Sequence, residues 1–130
     1  MKKLIILLLL FVFAATVKAQ KIYVEKTDGG YELPLIDKLI ASNYKVTFKK
    51  DSSDLTIVCI IGKTGMGRAT GSIALTDTKS GNIFVKSKEV DGQTSIFNSY
   101  ANPKMISMKK IADKYLLDLV KEVLKSTKRD

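Results

Sequence analysis

Leu55-Thr56-Ile57-Val58-Cys59-Ile60-Ile61 is the stretch on which the fold turns. Apart from Thr56 it is apolar on both faces of an extended chain, which predicts a central strand covered on two sides. Asp51-Ser52-Ser53-Asp54 leads into it as a turn, and Gly62 to Gly67 follows it as a flexible loop. Beyond that loop, Thr70 to Thr76 predicts a second strand with Ile73 and Leu75 on one side. Asp77-Thr78-Lys79-Ser80-Gly81-Asn82 is a compact hairpin connection, and Ile83 to Val90 is the returning strand.

Working back towards the N-terminus, Tyr44, Val46 and Phe48 alternate with Lys45, Thr47 and Lys49, the pattern of a half-buried strand with one basic face. Before it, Leu35, Ile36, Leu39 and Ile40 fall at helical spacing, with Pro34 tolerable in the first turn. Ser42-Asn43 closes that helix, because Asn accepts the left-handed conformation at a helix end. Ile22 and Val24 mark a short first strand, and Asp28-Gly29-Gly30 turns out of it.

Working forward, Asp91-Gly92 opens a polar loop lasting to Ala101. Asn102-Pro103 then starts a long helix, Asn as cap and Pro in the first helical position. Met108, Ala112, Tyr115, Leu119 and Val123 form its apolar stripe, flanked by Ile111, Leu116, Val120 and Leu124. So wide a stripe requires a sheet to lie on. The expected fold is α+β: a mostly antiparallel sheet of four to five strands, with two helices on one face, in the order β-α-β-β-β-β-α.

The first 19 residues read differently. Lys2 and Lys3 precede an uncharged run from Leu4 to Val17, and Val17-Lys18-Ala19 places modest side chains before a cut. This is the tripartite form of a secretory signal peptide, too short for a membrane-spanning helix. Residues 20–130 are then a single exported domain, periplasmic or secreted. Losing Lys2, Lys3 and Lys18 lowers the net charge from +9 to +6. One cysteine, Cys59, excludes an internal disulfide, so apolar packing must hold the fold.

Catalytic motifs fail on inspection. Gly62-Lys63-Thr64 ends like a phosphate-binding loop, but Ile57 stands where the first glycine belongs, and a strand rather than a helix follows. Gly65-Met66-Gly67 is followed by Thr70 where a dinucleotide fingerprint needs its third glycine. The chain has no histidine, which removes Ser-His and Cys-His pairs and the commonest zinc ligand. Cys59 sits mid-strand as a buried thiol, and Asp51, Asp54 and Asp77 are explained as turn formers. Ser42 to Lys45 and Ser107 to Lys110 fit S-x-x-K, a pattern common by chance. No catalytic residue, metal ligand or cofactor is assigned.

Two stretches carry a family likeness: Asp54-Leu55-Thr56-Ile57-Val58 followed by Gly62, and Leu75-Thr76-Asp77-Thr78-Lys79-Ser80-Gly81. The chain resembles the TolB amino-terminal-domain-like folds, shared with curli-assembly CsgG-like and LpoB-like proteins. The likeness covers nearly all of residues 20–130. It implies an α+β domain that works by protein contact in a Gram-negative envelope, without catalysis. The lipidated cysteine of many such proteins and the TolB propeller have no counterpart in this sequence.

The expected function is therefore a non-enzymatic accessory domain that binds a protein or other component of the cell envelope. Its contact residues would be Lys63, Met66 and Arg68 in the glycine-rich segment, and Phe97 and Tyr100 in the 91–101 loop. Two alternatives stand beside it. One is a small-ligand carrier or minimal enzyme with a pocket between sheet and helices. The other is a basic module on anionic lipid or cell-wall polymer, read from Lys45, Lys49 and Lys50 and from Lys104, Lys109, Lys110 and Lys114. Export makes nucleic acid a poor candidate partner.

Overall fold

The computed structural model describes residues 20–94 and 102–127. Strands β1 (Lys21–Val24), β2 (Lys45–Thr47), β3 (Leu55–Gly65), β4 (Arg68–Asp77) and β5 (Ile83–Lys86) form one sheet in the order β2-β1-β3-β4-β5, and β6 (Val90–Gln93) also pairs with β4. β1 runs parallel to β2 and β3, and the three pairings made by β4 are antiparallel. Helix α1 (Leu33–Ala41) follows β1. A continuous helical rod ends the described chain: α2 (Pro103–Ile111), a π turn (Ala112–Leu116) and α3 (Leu117–Thr127).

The core is a single layer between sheet and helices. Ile22, Val24, Leu55, Ile57, Ile73 and Leu75 meet Leu35 and Leu39 of α1 and Met108, Ile111, Leu116 and Val120 of the rod. Each fully buried aliphatic side chain contributes about 1.5–3 kcal/mol. Strand alternation turns Thr56, Val58, Ile60, Ser72, Ala74 and Thr76 to the opposite face. The α+β class, the mostly antiparallel sheet and the two helices on one face agree with the sequence.

Several details do not. β3 is buried at Leu55, Thr56 and Ile57, but Val58 to Ile61 are only half-buried. The helices cover one face of the sheet, and β1 leaves β3 after Val24 pairs with Ile57. Gly62 to Gly67 is no flexible loop. β3 continues to Gly65, and Met66-Gly67 is the turn into β4. A bulge sets Gly62 and Lys63 against Thr70, which absorbs the glycines without ending the strand.

The returning strand is broken in two. At the break Ser87 N–H donates to Ile73 O (2.8 Å), while Ile73 N–H donates to Ser87 Oγ (2.9 Å). The Ser87 hydroxyl stands in for a strand carbonyl, so pairing to β4 resumes at Val90. Asp91 to Gln93, read as loop, belong to β6. Phe48 lies past the end of β2 and is 70% exposed, because this edge strand has only three residues. Ile40, at helical spacing with Leu35, Ile36 and Leu39, points outward.

The caps follow the sequence. Asn43 has φ +66° after α1, and Asn102 Oδ1 accepts from Lys104 N–H (3.0 Å) at the start of α2. Gly92 lets the rod approach the sheet, since a Cβ there would collide with the Pro103 carbonyl oxygen. Among the described residues no helix is long and apolar enough to cross a membrane.

Candidate functional site

Lys63, Met66 and Arg68 all lie near the end of the β3–β4 hairpin, Lys63 in the bulge opposite Thr70, Met66 in the turn and Arg68 at the start of β4. From Val58 to Gly65 the hairpin extends past the last β1 pair, roughly 25 Å at about 3.3 Å per residue. It is held along its other side. Thr94 N–H donates to Gly67 O (2.9 Å), and Arg68 faces Gln93 across β4 and β6. With the Gln93 amide oxygen turned to the guanidinium, it accepts from Arg68 Nε (3.0 Å) and Nη2 (2.8 Å). Gln93 is neutral, so it orients Arg68 without cancelling its charge.

Gly67 supplies the turn with φ +67°, which a side chain would resist. That geometry leaves Met66 99% exposed between two basic residues. Met is an adaptable apolar contact residue. The tip thus presents a soft apolar point and two cations on a braced strand pair. Phe97 and Tyr100 lie outside the described residues.

The other candidate groups have structural partners. Ser107 is buried and donates to Val90 O (2.8 Å), and Lys110 Nζ donates to Asp91 O (3.0 Å). This S-x-x-K pair clamps the rod to β6. Lys104 lies over the Tyr31 ring at 5.6 Å from its centroid, leaving Lys109 and Lys114 as solvent-facing cations on the rod. Asp77 Oδ1 accepts from Lys79 N–H (3.0 Å), and Asp54 Oδ2 from Lys21 N–H (2.9 Å), so both aspartates serve turns and strand ends.

Cys59 carries no sign of reactivity. Burial, and secondarily the charges of Glu32 and Glu25, push its thiol up to about 12. A thiol so rarely ionised at neutral pH is a poor nucleophile. Glu32 is itself buried, which opposes ionisation. Hydrogen bonds from its own N–H and from Thr27, with the charge of Lys26, outweigh that cost and hold it below the usual carboxylate value. Thr27 Oγ1 donates to Glu32 Oε2 (2.8 Å) and accepts from Tyr31 N–H (2.8 Å), which shapes the entry to α1.

Among the described residues no three His, Cys, Asp or Glu side chains gather to hold a metal. Two surface recesses measure about 200 and 260 Å3. Both fall below the ~300–1,000 Å3 of ligand clefts. One opens at the foot of the sheet, lined by Gln20, Asp54, Asp77 and Phe84, and the other lies between α1 and the rod.

The geometry defines a class: a two-layer α+β domain with a basic, Met-tipped hairpin. No family model matches the chain. No curated protein matches it either. Solved structures bear a partial likeness to it. A chain of Caulobacter crescentus CB15, provisionally assigned as a lipoprotein, is 16% identical with a TM-score of 0.49, covering 79% of this chain and 90% of that one. A minor lipoprotein of Acinetobacter baumannii is 15% identical with a TM-score of 0.48, covering 76% and 89%. The PelC dodecamer of Paraburkholderia phytofirmans is 15% identical with a TM-score of 0.47, covering 75% and 85%. At these values the likeness carries no functional reading, and the TolB, CsgG and LpoB resemblance gains no support from it.

Proposed function

We propose that the chain is an exported accessory domain without chemistry of its own, which engages an envelope protein through the tip of its β3–β4 hairpin. The carrying observation is Met66, fully exposed at the end of a braced hairpin with Lys63 and Arg68 beside it. A single exposed apolar side chain is ordinary on a protein surface. One held in a tight turn between two paired strands, braced by β6, has its position fixed before contact, so little ordering entropy is lost on binding. Met1 to Ala19 is read as the leader that delivers the domain.

The partner expected is a protein with an apolar pocket rimmed by carboxylates. Affinity capture from envelope extract with the exported protein tests this. Capture should fall at least tenfold for Met66→Glu combined with Arg68→Glu, both solvent-facing changes that leave the core intact. Equal capture by the wild type and that variant would sink the reading.

A second reading is favoured by Phe48, exposed and followed by Lys49 and Lys50 with Lys45 nearby in the strand. An exposed aromatic among cations suits an anionic lipid or cell-wall polymer. Binding to anionic vesicles that weakens steeply with salt and requires Phe48 would favour this surface over the hairpin.

A further inference from the structure

We propose that the outward face of α1, with the groove beside it, binds a second copy of this chain about a two-fold axis. α1 buries Leu35 and Leu39 and turns Leu33 (53% exposed), Asp37, Ile40 (54% exposed) and Ala41 to solvent. Three of these four are apolar on a helix of nine residues, a face without a partner among the described residues. Next to it lies the recess of about 260 Å3 between α1 and the rod, with Pro34, Ala41 and Ala112 among its walls. Alanines on both sides of the recess leave room for an incoming side chain the size of Ile40.

The charges decide the occupant. Lys38 and Asp113 bridge the recess at 3.8 Å and neutralise each other. That leaves Asp37 on one rim and Lys109 on the other, both exposed and without an ion-pair partner among the described residues. A two-fold contact is self-complementary, so residue i meets j wherever j meets i. Asp37 of each copy then faces Lys109 of the other, while Ile40 of each copy enters the opposite recess. Read as a +6 domain, the chain repels its copies in general, and association needs a place where acid and base alternate. This face supplies one beside bare apolar surface. A nine-residue helix covers less than the ~800 Å2 per partner of a standard interface, so the dimer is weak.

Sedimentation equilibrium of the exported protein tests this directly. The weight-average mass should climb from monomer towards dimer between about 10 µM and 1 mM, the range of weak association. Ile40→Lys, a change at an exposed position, should hold the protein at monomer mass. Asp37→Lys should do the same, and adding Lys109→Asp to it should restore the dimer by exchanging the charges. Lys45→Glu, on the β2 edge, should leave association unchanged. Monomer mass throughout the range would overturn the proposal. So would a dimer or larger assembly that persists in both Ile40→Lys and Asp37→Lys.

Discussion

Thr56, 2% exposed on the face of β3 away from the core, would be a costly polar group without its partners. Its partners form a chain with a fixed direction. Ser53 Oγ donates its one proton to Lys50 O (2.7 Å), so it accepts from Thr78 Oγ1 at 2.8 Å. Thr78 in turn accepts from Thr56, also at 2.8 Å. The relay ties the turn before β3 to the hairpin after β4. Thr78→Val leaves Thr56 without an acceptor, while Ser53 keeps Lys50. One orphaned buried hydroxyl costs about 1–3 kcal/mol. Urea unfolding should show that loss for Thr78→Val, and a change within about 0.5 kcal/mol for the exposed Thr64→Val.

Cys59 gives a pH signature at the same scale. Its folded value of about 12 lies above the ordinary 9.0, so the folded chain keeps its proton where the unfolded chain has lost it. The unfolded state therefore binds fewer protons between these values, and stability falls as pH rises from 9 towards 12. Below 9 the contribution is fully present. Cys59→Ala should flatten this decline relative to wild type, measured by urea unfolding from pH 8 to 11. The native thiol should also resist alkylation at pH 8 and react once urea exposes it. These relations were partly legible in the sequence. An apolar strand around Cys59 already implied an inert thiol, but nothing in the spacing of Ser53, Thr56 and Thr78 shows that a sheet will stack their hydroxyls.

At the scale of elements, local patterning was legible where it was strict. Asp77 to Asn82 gave the hairpin connection, and Asn102-Pro103 gave the start of the rod. The middle of the rod was not. The π turn inserts an extra residue, which rotates everything beyond it by about 100° relative to an ideal helix. The seam then passes through Leu116 and Val120, leaving Tyr115 and Leu119 half-buried, although ideal spacing put those two at its centre. Leu116→Ala is expected to cost about 2–5 kcal/mol, the usual range for a buried leucine. Leu119→Ala should cost less than half as much. Thermal or urea unfolding of the two variants checks the seam, and a reversed order would place the helix register one residue away.

For the whole molecule, the sheet order could not be read from the strands alone. β1 lies between β2 and β3, although β2 and β3 are consecutive in the chain. Alternation shows which face a residue occupies and not which strand lies beside it. For that reason the glycine-rich segment read as a loop: nothing local shows that β4 and β6 will brace it. Lys63, Met66 and Arg68 were legible as a group because they are close in sequence, while the bracing of their hairpin by β6 is a property of the assembled fold.

On the function proposed above, the tip of the β3–β4 hairpin meets a specific protein in the envelope. A photo-crosslinking residue placed at position 66 in the exported protein, irradiated in its native cells, is the decisive test. One discrete adduct is predicted, abolished by Lys63→Glu with Arg68→Glu and not formed from a crosslinker at the remote, exposed Asp118. No adduct at position 66, or the same adducts from both positions, would contradict it.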